Sequence, residues 1–414
     1  MEQRYALIVE PVSTGYEYAE AFRAEGLLPV AVMNAAEPVE ALSATWYPDN
    51  FAAIHVLGDR SVAELAEELR QYRPQWIVAG AEPAIELGDA LTEILCPGTG
   101  NTPDRTLARR DKWEMARALQ HAGVAHLRQH CSADRSALDA WLQAEGLVGG
   151  RFVVKPPKSG STDDVHLIEP GEDWHPIFDH IYGKINHSGF RNDAVLVQEY
   201  AEGTEFLIDS YSVDGRHGLV DVCRYTKSRR ADRIGIYDRV EFLPAGHPDV
   251  AEVWPYVQDV LDAVGLRNGP GHSEVMLTKD GPRLMETAAR PAGLGHQMIT
   301  KMATGDSQIY RTVAHRLHGT FIPGYELRQH LSAVFISAPV TGIWQNAEIF
   351  AGVDDLASFN AKHFPHGTGD LVTVTEDLVS FLAWVILAGP DPDQIDADFH
   401  TLKALESRID VVPV

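Results

Sequence analysis

The chain reads as a mixed α/β and α+β protein. It has an open parallel α/β segment at its N-terminus, a smaller α/β segment after it, and an antiparallel-sheet core. Three observations predict this. Short apolar runs alternate with helical stretches over residues 5–95, the pattern of strands wound in parallel around helices. From Val195 the runs lengthen and alternate apolar with polar residues, as antiparallel strands do. A tight Lys279-Asp280-Gly281 turn then joins two more such runs into a hairpin.

In order, Tyr5 to Val9 is a buried-type strand, and the loop Pro11 to Gly15 leads into a helix through Ala21 and Phe22. Leu28 to Val32 begins another strand, Val62 to Leu69 a helix, Trp76 to Gly80 a strand, and Ala84 to Leu95 a helix. Such a sheet takes ligands at the carboxyl ends of its strands. Ser13-Thr14-Gly15 lies at one of those ends but is not GxGxxG. Helix capping by Ser13 or Thr14 is therefore expected there, rather than dinucleotide binding. Asn101-Thr102-Pro103-Asp104 punctuates the chain and starts a long helix, Arg105 to His121, carrying Arg109, Arg110 and Lys112. Strand Arg151 to Lys155, loop Pro156 to Asp164 and strand Val165 to Ile168 follow. The longer strands are Val195 to Tyr200, Glu205 to Val213, and Gly218 to Arg224. Leu331 to Ile336 opens a further small α+β unit, in which Phe381 to Ala388 reads as a core helix and Trp344 as a core tryptophan. The expected division is 1–105, 106–198, 199–325 and 326–414.

With 45% apolar and 23% charged residues, the composition is that of an ordinary folded protein. A net charge of −24 argues against binding duplex nucleic acid or an anionic membrane, since both need a basic face. No apolar run approaches the roughly 20 residues of a membrane span. Cys96, Cys131 and Cys223 are too few and too scattered for a disulfide frame or a CxxC metal knuckle. Met1 to Tyr5 lacks a signal-peptide pattern, so a cytoplasmic location is expected.

The chemistry concentrates in the hairpin. Glu274 lies in its first strand and Glu286 in its second, with Arg290 four residues beyond Glu286. Antiparallel pairing brings the two carboxylates onto one face. Side by side they repel unless a cation sits between them, and Mg2+ carried by a nucleotide phosphate suits such oxygen ligands. The neighbouring guanidinium suits a phosphoryl group or an oxyanion. The plain alternative is a solvated edge with two exposed carboxylates. Lys155 ends an apolar strand and faces a loop containing Lys158, Ser159, Gly160, Ser161 and Thr162, which suits a flap over phosphates or else a solvated turn. The connector Gln198-Glu199-Tyr200-Ala201-Glu202-Gly203-Thr204-Glu205 can offer backbone groups to an adenine edge and a carboxylate to a ribose. Arg224 to Arg230 concentrates positive charge, with Lys227 placed for a γ-phosphate or a substrate carboxylate. His272 and His296 flank the hairpin motif, as substrate-orienting or structural groups.

Together, a lysine opening a helix, a lysine before a Gly/Ser loop, Glu-Tyr-x-x-Gly-x-Glu and Glu…Glu-x-x-x-Arg resemble the ATP-grasp superfamily of carboxylate–amine ligases over residues 1–320. The resemblance implies an ATP-grasp fold whose N-terminal parallel domain precedes a lid subdomain and an antiparallel core. It implies that Lys112 and Lys155 contact the nucleotide, that Lys158 to Thr162 cover the phosphates, and that Glu199, Tyr200 and Ala201 form the adenine hinge. Glu202 or Glu205 would then approach the ribose, Glu274 and Glu286 would bridge Mg2+ (or Mn2+), and Arg290 would be the catalytic arginine. Many members carry Asn two residues after the second Glu, where this chain has Ala288. The Glu-x-Ala-x-Arg form, with Gly293 and Gly295 following, is similar to the L-amino acid ligases, which make dipeptides or amino-acid amides. Asp163-Asp164 stands where a glycine is common in the flap. The implied activity is ATP-dependent amide formation between a carboxylate and an amino acid through an acyl phosphate, with small-molecule substrates and a homodimeric assembly. An ATP-grasp carboxylase using bicarbonate, or a non-catalytic nucleotide-binding protein, are the alternatives.

Overall fold

The computed structural model describes residues 3–160, 163–230, 233–376 and 380–414. Strands β1 (Tyr5–Val9), β2 (Leu28–Met33), β3 (Ala53–Val56) and β4 (Ile77–Ala79) form a parallel sheet in the order β3-β2-β1-β4. Alternate residues of β1 face opposite sides. Leu7 and Val9 pack with Leu65, Leu69, Leu87 and Leu91 of α2 (Val62–Leu69) and α3 (Ala84–Leu95). Ala6 and Ile8 pack with Tyr18 and Phe22 of α1 (Glu17–Ala24) on the other side. Burial on both faces is why these strands read as continuous apolar runs. Strand β3 escapes sequence reading because it is four residues long and broken by His55.

Two expectations fail near the N-terminal helices. Neither Ser13 nor Thr14 caps a helix: a 3₁₀ turn, Ser13–Tyr16, carries the chain into α1, so the residue before α1 is Tyr16, already helical at φ −61°. The long helix expected from Arg105 begins only at Lys112, as α4 (Lys112–Ala122). Asp111 stands before it in extended backbone and accepts from the amides of Trp113 (2.8 Å) and Glu114 (3.2 Å). A capping aspartate sets the helix start there, and two 3₁₀ turns, Pro103–Arg105 and Leu107–Arg109, fill the approach.

The second sheet has the order β5-β8-β6-β7, from β5 (Gln129–Ser132), β6 (Phe152–Lys155), β7 (His166–Ile168) and β8 (Val195–Glu199). Its core is shared with α5 (Arg135–Ala144) and α6 (His175–Ile181) through Leu138, Leu142, Phe178 and Ile181.

The central sheet is antiparallel, in the order β13-β12-β9-β10-β11-β14-β18-β16. Its strands are β9 (Gly203–Val213), β10 (Arg216–Arg230), β11 (Arg233–Phe242), β12 (Gly269–Thr278), β13 (Gly281–Ala288), β14 (His330–Ile336), β16 (Phe359–His363) and β18 (Ala383–Gly389). Helix α7 (Pro248–Ala263) buries Val250, Val253 and Val257 against Phe206, Ile208, Val222 and Val275. The segment from Leu331 thus extends this sheet. Phe381 to Ala388, expected as a core helix, is mostly β18, paired residue for residue with β14 from His330↔Gly389 to Ile336↔Ala383. An unbroken apolar run is equally a doubly buried strand, and β-branched Val385 and Ile386 favour that outcome. Trp344 is fully buried, as expected of a core residue. It sits in a three-stranded sheet, β17 (Leu371–Val372), β15 (Gly342–Trp344) and β19 (Val411–Pro413), under α10 (Pro392–Glu406). Helices α8 (His296–Thr304) and α9 (Gln308–His318) follow the hairpin β12–β13. Among the described residues, no helix is long and apolar enough to cross a membrane.

Arg109 fastens the parallel sheet to α7. Fully buried, it pairs with Asp89 of α3 at 2.6 Å and donates to the carbonyls of Thr102 (3.0 Å) and Val264 (2.8 Å). Arg109→Ala strands Asp89 and those carbonyls, and should cost about 3–5 kcal/mol in urea unfolding; a loss below about 1 kcal/mol would refute the staple.

Candidate functional site

A cavity of about 680 Å³ opens between the second sheet and the central sheet. The hairpin supplies its acidic side. Glu274 and Glu286 are direct cross-strand partners, and a bulge follows Glu274. Opposed positions on one face place the two carboxylates together, each side chain about one-fifth exposed (22% and 21%). Burial, and then Glu286, push the Glu274 carboxyl above its ordinary range. Burial also opposes ionisation of Glu286, but Lys112, 2.6 Å away, outweighs it and holds Glu286 below that range. The donor set is therefore two partly buried carboxylates that resist both being charged, which fits a divalent cation with oxygen ligands.

Lys112, the first residue of α4, also donates from Nζ to the Ser159 carbonyl (2.5 Å) and from its amide to the Pro157 carbonyl (2.9 Å). Lys155, at the end of β6, donates to Gln198 Oε1 at 3.0 Å. Gln198 donates in turn to Gln129, whose Nε2 donates to the Lys112 carbonyl at 2.6 Å. A line of amides thus joins the two lysines. Burial, and then repulsion from Lys112, pull the Lys155 ammonium down to about 8, against the attraction of Glu286, Glu274 and Glu205.

Residues Glu199 to Glu205 line the cavity where the second sheet runs into β9. The Glu199 carboxylate is engaged elsewhere, taking the Arg128 amide (2.8 Å) and Nε (2.7 Å), so this stretch offers mainly backbone groups at Glu199. Val153, Val165, Met276 and Met285 supply apolar walls. Lys227 reaches in from β10, 2.7 Å from Glu205 Oε2 and 4.1 Å above the Tyr237 ring. Burial disfavours its charge, but Glu205, Tyr237 and Glu274 prevail and keep it protonated above the ordinary lysine range.

The structure thus gathers Lys112, Lys155, Ser159, Gly160, Glu199, Tyr200, Ala201, Glu202, Glu205, Lys227, Glu274 and Glu286 around one space. Ser161 and Thr162 lie outside the described residues. The other six residues singled out in the sequence do not line that cavity. Lys158 turns its Nζ to Glu86 at 3.5 Å. Arg290 is paired through Nε with Glu82 at 2.8 Å, and both burial, which opposes it, and Glu82, which prevails, act on a guanidinium left firmly charged. His272 binds Asp209 at 2.8 Å through Nδ1, with Nε2 4.0 Å from Glu274. His296 stacks on Phe242 and meets Asp221 at 3.3 Å; burial pulls its pKa down, yet Asp221 raises it above the ordinary value. A Cβ on Gly293 would sit 3.2 Å from Ser13 Oγ, while Gly295 at φ +73° precedes α8 in backbone that favours glycine. In the flap, Asp164 itself takes φ +52°, a conformation aspartate tolerates better than most residues. It meets His180 at 3.0 Å, and buried Asp163 accepts from the His187 amide at 2.8 Å.

Gln129, Tyr237, Arg110 and Glu82 carry no motif in the sequence. The first two become neighbours of the lysines by strand pairing, and the last two pair with each other at 3.2 Å. Met276 was legible in principle, two residues past Glu274 on the same strand face.

Residues 148–300 match the family model of the ATP-grasp domain. The chain is 27% identical to dapdiamide A synthase of Enterobacter agglomerans over 97% of both chains. The fold is similar to that of an L-amino acid ligase from Bacillus licheniformis, with 14% identity, all of both chains covered and a TM-score of 0.72. It is also similar to N5-carboxyaminoimidazole synthetase from Staphylococcus aureus complexed with ADP, at 13% identity, 98% of both chains and a TM-score of 0.68. The architecture is an ATP-grasp fold.

An anionic polyphosphate in this cavity would favour the charged form of Lys155. Above pH 8 the free protein loses that charge, so binding must take up a proton and affinity must fall. Calorimetric titration with ATP should show affinity dropping by up to about tenfold per pH unit above 8, with proton uptake revealed by the buffer dependence of the heat. Affinity unchanged between pH 7 and 9 would rule out contact between Lys155 and phosphate.

Proposed function

We propose that this ATP-grasp protein is an ATP-dependent carboxylate–amine ligase that joins a carboxylate substrate to the amine of an amino acid. The observation that carries the reading is the opposed pair Glu274 and Glu286, which line one cavity of about 680 Å³ together with Lys155 and with Lys112, itself paired to Glu286 at 2.6 Å. That cavity is of a size for a nucleotide. The full-length likeness to dapdiamide A synthase supports amide formation as the reaction class.

Adenine lies against Met276, Met285 and Val153, with the backbone of Tyr200 and Ala201 along its edge and Glu202 or Glu205 by the ribose. Lys112, Lys155 and the loop from Lys158 to Thr162 neutralise and enclose the phosphates. Glu274 and Glu286 would hold Mg2+, which when bound screens the phosphate charges. A carboxylate oxygen of the first substrate attacks the γ-phosphorus, the bond to the β-phosphate oxygen breaks, and ADP leaves. The amine nitrogen then attacks the acyl carbon, phosphate departs with the bonding electron pair, and the nitrogen gives up its proton to leave a neutral amide. Arg290 and Lys227 stabilise negative charge on the transferring phosphoryl group and the oxyanion, with His272, Gly293, Gly295 and His296 bordering the substrate end. Excluding water protects the acyl phosphate, which is the use of a loop closed over the phosphates.

A phosphate-release screen over amino-acid and acyl-amino-acid pairs tests the reading. It should find pair-dependent release of ADP and phosphate; AMP and pyrophosphate, or release stimulated by bicarbonate alone, would overturn it. Glu286→Gln should abolish turnover in a protein that still folds, whereas near-normal rates would remove Glu286 from the metal site. Arg290→Ala should slow turnover by about a thousandfold with a much smaller effect on the KM for ATP, as expected of a group that acts chiefly in the transition state. A rise in KM with kcat preserved would assign it to ground-state binding instead.

A further inference from the structure

Arg290 is aimed by a residue far from it in sequence. Its Nε donates to Glu82 Oε2 (2.8 Å) and its Nη1 to the Pro291 carbonyl (3.0 Å). The second Glu82 oxygen accepts from Nη1 of buried Arg110 at 3.2 Å. Arg110 goes on to the Lys158 carbonyl (3.4 Å) and lies 4.7 Å from the centre of the Phe190 ring. One carboxylate therefore joins the arginine after the hairpin to the loop beside the phosphate lysines.

Its mounting is rigid. Glu82 follows β4 at the carboxyl edge of the parallel sheet and immediately precedes Pro83 and α3. The Pro83 carbonyl accepts from Asn34 Nδ2 at 3.0 Å, and Glu10 Oε1 holds Asn34 through its amide (2.6 Å) and Nδ2 (2.9 Å). Glu286 also attracts Arg290, so without Glu82 the guanidinium is free to swing toward the hairpin carboxylates. Two arginines flank Glu82, which suits it to hold a guanidinium.

We propose that Glu82 is a positioning residue that sets the Arg290 guanidinium from the N-terminal sheet and, through Arg110, ties it to the loop at Lys158. The consequence rests on the ligase reading; the placement of Arg290 does not. The test compares the wild-type chain with Glu82→Gln, Glu82→Asp and, as a control, Glu93→Gln at an exposed position of α3. Turnover is followed as ADP release, and phenylglyoxal modification of Arg290 is followed by peptide mass spectrometry. Glu82→Gln should lower kcat by about 30- to 100-fold and leave the KM for ATP within about threefold, the pattern of a displaced catalytic group. Arg290 should be modified at least about threefold faster, because its guanidinium is released from the ion pair. Glu82→Asp, which keeps the charge, should recover about tenfold of the lost rate, and it carries the comparison if Glu82→Gln melts early. Unchanged modification of Arg290, or unchanged kcat, in a folded Glu82→Gln protein overturns the proposal. If the wild-type chain turns over no amino-acid pair, the ligase reading fails, and the modification rates alone decide the placement of Arg290.

Discussion

The ammonium of Lys112 joins three parts of the molecule that are far apart in sequence. It sits at the start of α4, holds the Ser159 carbonyl of the loop after β6, and pairs with Glu286 on the hairpin. It keeps Glu286 ionised against burial, and that charge in turn draws on Lys155 and Arg290. The Lys112 carbonyl anchors the amide line through Gln129 and Gln198 to Lys155. The position depends on Asp111: by capping α4, it makes Lys112 the first helical residue rather than an interior one.

The electrostatics of the cavity run against the chain as a whole. The protein carries a net charge of −24, yet four cations, Lys112, Lys155, Arg224 and Lys227, line one space with five glutamates. Partial burial makes each of these charges dependent on its neighbours, since little water remains to screen them. Lys227 is committed to Glu205 and the Tyr237 ring, Glu286 to Lys112, and Glu199 to Arg128. Glu274 and Lys155 are held least firmly in their charged forms, one raised and the other lowered. A cation beside the first and a phosphate beside the second relieve both, which is why the site suits a metal–nucleotide complex better than either part alone.

The N-terminal sheet contributes from outside the cavity. Its strands end near Glu10, Ser13 and Glu82, and three of its features meet the rest of the chain there: Glu82 at Arg290, Glu86 at Lys158, and Ser13 beside Gly293. Open parallel sheets concentrate ligand-facing groups at that edge. Here the edge also steadies groups that follow strands of the second and the central sheets. The strained backbone of Glu10 (φ +46°), Ser13 (φ +52°) and Leu294 (φ +54°) lies along the same seam.

The sequence alone determined the class of the N-terminal and central sheets, and the hairpin. Period-two patterning, an Asp-Gly turn and two glutamates in register need only local rules, and Glu274 does face Glu286. The order of lysines, hinge and Glu-x-x-x-Arg was likewise legible, because those residues are close to their structural elements in the chain. Tertiary structure decided what local rules leave open. The apolar run at Phe381 to Ala388 fits a buried helix or a buried strand equally well, and only pairing with β14 makes it β18. Asp111 and Ser13 are both plausible caps, but only Asp111 finds free amides in reach, because a 3₁₀ turn takes the chain past Ser13. The Glu82–Arg290 pair spans two sheets and no sequence period connects its members, so packing alone brings them together.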